Sequence, residues 1–452
     1  MSVGTVVLQR FVQKNPLAVM VRCLSGQLMC EELDQVFEQS RSQNYEGQLK
    51  FSALAASVAE IALGTVENPN QAYEAYREEL RVSKTSYYEI LNRVETDVAE
   101  AVVRYSARQS ARLLDEIGCG EWEVLPGYRC FALDGNHLQK SEKRLDVQRG
   151  LCAAPLPGTI VARYDLQSQL LTHAYLLEDA HALESTTLDR VLADIQPRDL
   201  VIADRHFCIV DFLGQLAQRD GAFVIRQHGR LKGRLIGKRQ SKGHSPHGVV
   251  FEQKLQIDPS HPSRVVRRIT VELFEPTRDG AREIHILSNV PVQDASAIRL
   301  AGLYLKRWEI ENAFHVLTMT LTCELKSLAH PRAALFLFCM AMLAFNTRQV
   351  LLGVLFSEHD QDDVEQMSQF KVAKAIVGPM EGLVTALPES EWHVLVPGDL
   401  RGCVRFLIDV SRHVPVPDYR KSVRGPRKKP PSRERCKAGT HVSTFKLLNS
   451  KN

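Results

Sequence analysis

The stretch "DLVIADRHF" occupies residues 199–207. Leu200, Val201, Ile202 and Ala203 form an unbroken apolar run. It is too short for a helix and has no polar alternate, so it predicts a strand buried on both faces. The run closes on an acid, Asp204. "RCFALDGN", residues 129–136, repeats the form and closes on Asp134. Between the two, "GTIVARYDLQSQLLTHAYLL" (158–177) predicts a strand, a turn at Asp165–Ser168 and a second strand, and "DAHALESTTLDRVLADI" (179–195) predicts a helix. "IVDFLGQLAQRDG" (209–221) predicts a helix stopped by Gly221, and "AFVIRQ" (222–227) another strand. Strand, hairpin, helix, strand, helix, strand is the order of a mixed α/β sheet.

The texture changes on either side. From Arg226 to Val290 the chain is β-rich, with "GVVFEQKLQI", "RVVRRITVELFE" and "EIHILSNV" joined by Gly, Pro and Asp turns. Helical periodicity returns after Ala295. Residues 1 to about 120 are helical in pattern. Within them "AYREELRVSKTSYYEILNRV" (75–94) has the form of a helix-turn-helix. Ser83 or Thr85 would cap its second helix, which would present Lys84, Ser86, Tyr87 and Asn92 to a groove; simple helix packing is the other reading.

Composition narrows the classes. The chain has 452 residues, 44% hydrophobic and 24% charged, as in an ordinary soluble globular protein of two to four domains. The formal charge of +4 leaves any nucleic-acid reading to depend on where the charge lies. The ten cysteines have no zinc spacing or disulfide framework, and most are expected as buried thiols. The N-terminus is too polar for a signal peptide. "AALFLFCMAMLAF" (333–345), at 13 residues, is too short for a membrane span and is expected as a buried helix.

A third acid sits on a helix. In "YLKRWEIENAFHVL" (304–317), Leu303, Ile310, Phe314, Leu317 and Leu321 fall on one stripe, and Tyr304, Arg307, Glu311 and His315 on a second beside it. Glu309 points elsewhere, with Lys306 and nearer to water. An amphipathic helix with an Arg307–Glu311 pair is the plain reading. Joined to two strand-end aspartates, Glu311 can complete a group of three carboxylates. Such a group repels itself unless a cation intervenes, and oxygen-only ligands suit Mg²⁺ or Mn²⁺. His206, beside Asp204, is either a neighbour of the metal or a core histidine, and the core is the expected place.

"FALDGNHL", "VIADRHFC" and "YLKRWEIENAF" resemble the three acidic motifs of insertion-sequence DDE transposases. The subgroup has a Tyr-x2-Arg-x3-Glu-x6-Lys signature and a β-rich insertion before the Glu. Tyr304, Arg307 and Glu311 match it in spacing, and Thr318 stands where the pattern has Lys. The resemblance extends over roughly residues 70–445. It implies a multi-domain α/β fold: a ribonuclease H-like mixed sheet interrupted by a β-rich insertion, with helical N-terminal and C-terminal regions. It also implies a catalytic and metal-binding triad of Asp134, Asp204 and Glu311 using Mg²⁺, with Mn²⁺ as substitute. Tyr304 and Arg307 would hold phosphate oxygens. The partners implied are double-stranded DNA, as transposon ends and target, and a second protomer in a synaptic complex. The setting implied is cytoplasmic, in a bacterial nucleoid, with no membrane.

The expected division is a helical DNA-binding region (1–125), the first part of the core (126–225), the insertion (226–292), the second part of the core (293–350), a helical C-terminal region (351–412) and a basic tail (413–452). Positive charge gathers in "RQHGRLKGRLIGKRQSKGHSPHG" (226–248), where Arg226 to Lys242 includes no acid, and in "YRKSVRGPRKKPPSRERCK" (419–437). Each is either a solvated segment or a DNA contact. Arg230, Lys232, Arg234 and Lys84 are the expected DNA-binding cations. A copy that binds DNA without cutting it, or a structure-specific nuclease on the same fold, are the rival functions.

Overall fold

A computed structural model of the chain describes residues 3–43, 49–119, 123–139, 141–258, 260–261, 264–277, 280–422 and 442–450. Of the basic tail expected from the sequence (413–452), residues 423–441 and 451–452 lie outside the described residues. The strands are β1 (Arg129–His137), β2 (Pro155–Leu156), β3 (Thr159–Asp165), β4 (Leu171–Leu177), β5 (Asp199–Ala203), β6 (Ala222–Arg226), β7 (Arg234–Ser245), β8 (Gly248–Gln256), β9 (Val265–Leu273), β10 (Glu283–Ser288) and β11 (Val442–Ser443). Nine of them form one sheet in the order β4-β3-β1-β5-β6-β10-β9-β8-β7. β3 runs antiparallel to both β4 and β1, and β1, β5 and β6 run parallel. That half has the ribonuclease H-like order. The inserted strands β7–β10 do not form a separate layer. They extend the same sheet antiparallel, beginning where β10 pairs with β6.

The apolar alternation of the central strands explains why the sheet is covered on both faces. Cys130, Ala132, Leu200 and Ile202 point into one core, while Phe131, Leu133, Val201 and Ala203 point into another. Edge strand β4 would leave backbone groups unpaired under the covering helices, and side chains take their place. Asn346, fully buried, accepts from Leu171 N–H at 2.9 Å and donates to Leu171 C=O at 2.9 Å. Glu100 accepts from Leu176 N–H at 2.8 Å. The opposite edge, β7, is exposed and carries Lys and Arg, which discourages further strand pairing.

The apolar helix is longer than expected, Pro331–Glu358. By length and hydropathy it could cross a membrane, yet 83% of its most apolar window is buried inside the fold. Its first half packs in the core under the sheet and its second half in a helical core that joins the two ends of the chain. There the helix Pro16–Leu28 meets the C-terminal helices: Arg22 donates to Leu383 C=O at 3.0 Å and stacks 4.1 Å over Trp392.

Several expected elements differ. Residues 179–195 are a turn, a 3₁₀ turn (Glu184–Thr187) and a short helix (Leu188–Ala193) rather than one helix. Residues 234–245, within the basic stretch 226–248, are strand β7. Ser83 caps the second helix of the helix-turn-helix segment, Lys84–Arg93, as its hydroxyl accepts from Ser86 N–H at 3.1 Å. Tyr87, expected on the groove face of that helix, is instead fully buried with its hydroxyl 3.1 Å from Ser57 Oγ. The described cysteines are free thiols.

Candidate active site

Register places the two strand-end acids. Across the parallel β1–β5 ladder Leu133 faces Ala203, and the next residue on each chain is Asp134 and Asp204. By pleat alternation Asp134 continues the row Cys130–Ala132 and Asp204 continues the row Leu200–Ile202. Both rows lie on the same core face, and Ile310, Phe314 and Leu317 of the helix bearing Glu311 pack into that core. Three separate segments therefore bring their acids to one side of the sheet.

The helix expected over Tyr304–Leu317 is interrupted. Ala297–Leu305 and Trp308–Met319 are two helices, and between them Lys306, Arg307, Glu309 and Ile310 donate N–H to the carbonyl three residues back. This tightened turn rolls Arg307 into the fold, where it is 9% exposed. Its Nη1 lies 3.3 Å from Asp134 Oδ2 and 2.5 Å from Glu311 Oε1. Its guanidinium also lies 5.1 Å from the Trp308 ring centroid and 6.0 Å from that of Tyr304. Its Nε is buried with no hydrogen-bond partner among the described residues. Glu309 turns away and pairs with Lys306 at 2.8 Å. It is not nearer to water than Glu311, because the broken helix leaves the two side chains 30% and 34% exposed.

Electrostatics follow from crowding. Burial pushes the Asp134 carboxyl up to about 6; Arg307 and the Gly135 N–H oppose that, and Glu311 and Glu184 add to it. Burial also pushes the Tyr304 hydroxyl up, with Arg307 opposing and the Asp204 carboxylate reinforcing. Glu184 was not recognised from the sequence. A Cβ built on Gly135 would lie 1.9 Å from Glu184 Oε1, so only glycine lets this fourth carboxylate close on β1. The signal available was the glycine directly after Asp134.

Asp204 caps its own turn, accepting from Arg205 N–H at 2.5 Å. His206, expected in the core, is exposed, because the 3₁₀ turn after Asp204 sends Phe207 inward instead. Thr318 bonds back to its own helix, donating to Phe314 C=O at 3.0 Å. Arg230, Lys232, Arg234 and Lys84 are exposed and none touches the three acids. Arg239, on β7, is held by Glu272 at 2.6 Å and Glu283 at 3.1 Å, whereas Arg230, Lys232 and Arg234 have no carboxylate partner among the described residues.

Among the described residues no three acids, imidazoles or thiols stand as a ready metal-binding group. A guanidinium stands between Asp134 and Glu311 instead. The donor chemistry still fits a hard divalent cation: the ligands are all oxygen, and Asp134, Glu311 and Glu184 crowd their carboxylates together.

Residues 127–347 match the family model of the transposase DDE domain. Among solved structures the chain is similar to a piggyBac transposase synaptic complex with hairpin DNA, at 11% identity and a TM-score of 0.41, over 89% of this chain and 86% of that one. No curated protein matches it.

Proposed function

With a transposase DDE domain at residues 127–347, we propose that the chain is a DNA transposase that binds the ends of its own element and cuts and joins DNA strands at Asp134, Asp204 and Glu311. The single observation that supports this reading is the register that pairs Leu133 with Ala203, the residues just before Asp134 and Asp204, on strands packed against the Glu311 helix.

These three carboxylates would hold divalent metal, Mg²⁺ or in its place Mn²⁺, which supplies charge stabilisation at the attacking and leaving oxygens of a phosphodiester. The chain's own groups do the rest. A water oxygen forms a bond to phosphorus while the bond to the 3′ oxygen breaks, and the 3′ oxygen leaves with a proton. That 3′-OH then attacks a second phosphodiester, so one P–O bond forms as another breaks. Arg307 would exchange its carboxylates for phosphate oxygens, and its unpartnered Nε gives it a donor to spare. Tyr304 backs Arg307. Arg230, Lys232, Arg234 and Lys84 would meet backbone phosphates, and a pair of protomers would hold two ends.

A DNA-binding chain that no longer cuts is the second reading, favoured by Thr318, which turns its hydroxyl into its own helix where the family pattern has Lys. Incubating the purified protein with end DNA of its element and Mg²⁺ tests both. Nicks mapped to the end support the transposase, and tight end binding with intact strands supports the second reading.

A further inference from the structure

We propose that the sheet margin formed by Gln148, Pro155–Leu156 and Asp179–Ala180 is a peptide-docking surface whose ligand is the chain's own C-terminal segment Val442–Asn449, and that docking holds Glu184 over Gly135 beside Asp134. The last clause rests on the transposase reading; the docking does not.

The segment Val442–Asn449 is fastened at four points. β11 pairs in parallel with β2, Val442 opposite Pro155 and Ser443 opposite Leu156. Ala180 N–H donates to Ser443 Oγ at 3.2 Å. Gln148 Nε2 donates to Thr444 Oγ1 at 2.9 Å, and both residues are fully buried. Lys446 Nζ lies 3.0 Å from Asp179 Oδ2. Strand addition supplies main-chain bonds and the side chains supply register, which is how folded domains recognise extended peptides.

The segment is docked as a peptide would be. The chain before it is anchored elsewhere, where Lys421 N–H donates to Gln366 C=O at 2.8 Å. Residues 423–441 separate the two anchors in the sequence.

Both contact points lead to the site. Pro155–Leu156 lies in the connection from β1, which bears Asp134, to β3. Asp179–Ala180 begins the connection from β4 to the turn bearing Glu184. Thr159 Oγ1 donates to Ala180 C=O at 3.4 Å and lies 2.7 Å from His137 Nδ1, at the end of β1. A rigid Ala180 thus steadies the ends of β1 and β3 and the Glu184 turn together.

Amide hydrogen exchange on the full chain and on one ending at His441 tests this. Exchange over 145–158 and 179–187 should rise at least about tenfold in the shortened chain and little elsewhere. Excess synthetic peptide spanning 440–450 should restore protection. Unchanged exchange, or no rescue by peptide, overturns the proposal. Should the shortened chain not fold, Lys446→Glu in the full chain should raise exchange at the same segments, and Asp179→Lys added to it should restore protection; failure of that restoration also overturns it. Cleavage of end DNA should follow the same pattern. Restored protection with no cleavage by any form refutes the transposase reading and the catalytic clause, and leaves the docking.

Discussion

Arg307 Nη1 lies 3.3 Å from Asp134 Oδ2, across the gap between a helix turn and the middle of the sheet, and the same nitrogen reaches Glu311. The guanidinium therefore neutralises two acids that would otherwise repel. Arg307→Ala should destabilise the protein by about 3–5 kcal/mol, the usual cost of stripping one partner from a buried ion pair. Mg²⁺ should then raise the melting temperature of the variant more than that of the parent, since bound cation restores the missing charge. Equal Mg²⁺ shifts in a thermal scan would mean that Arg307 and the cation do not share these carboxylates.

Glu311→Gln should cut strand cleavage by several kcal/mol in barrier terms, as should Asp204→Asn, with end binding kept. Glu309→Gln should change cleavage little, because its partner is the half-exposed Lys306 and such a pair is worth about 0–1 kcal/mol. Rates for the three variants at saturating Mg²⁺ decide it, and the reverse ranking of the two glutamates would refute the assignment.

Neutralising Arg230, Lys232 and Arg234 together should weaken DNA binding and flatten its salt dependence by roughly one to three counterions. Neutralising Arg239, already engaged by Glu272 and Glu283, should flatten it less. Binding constants measured over a series of salt concentrations give both slopes.

Asn346→Leu should cost about 2–6 kcal/mol in urea unfolding. It leaves the Leu171 N–H and C=O without partners in a dry core, and each unpaired group costs about 1–3 kcal/mol. The edge of the sheet at β4 should then exchange its amides first.

Burial pushes the His173 imidazole down to about 3, with Arg163, Arg104 and Arg108 acting in the same direction. Asp194, 4.0 Å from Nε2, pulls the other way and is outweighed. A depressed folded pKa means stability that is present above about 6.5 and lost as pH falls toward 3. At pH 5 this amounts to about 2 kcal/mol. His173→Gln removes the term, so the stability gap between parent and variant should narrow by that amount from pH 7 to pH 5. A constant gap in urea titrations would refute it.

The sequence by itself determined the strands, because an apolar run such as Leu200–Ala203 has nowhere to go but the middle of a sheet, and the acid after it marks where burial ends. It likewise determined the fold class, since strand order and helix order restrict the connections to a few. The 3.6-residue period sorted Glu311 from Glu309 correctly by face. It misjudged their exposure, because the break at Lys306–Arg307 depends on what the turn packs against and not on local propensity. Tertiary structure alone decided the partners: that Leu133 faces Ala203, that Asn346 serves the edge of β4, that Glu184 closes over Gly135 and that Ser443 meets Ala180. Each joins residues far apart in the chain through contacts with no periodic signature, and a sequence pattern records only what repeats locally.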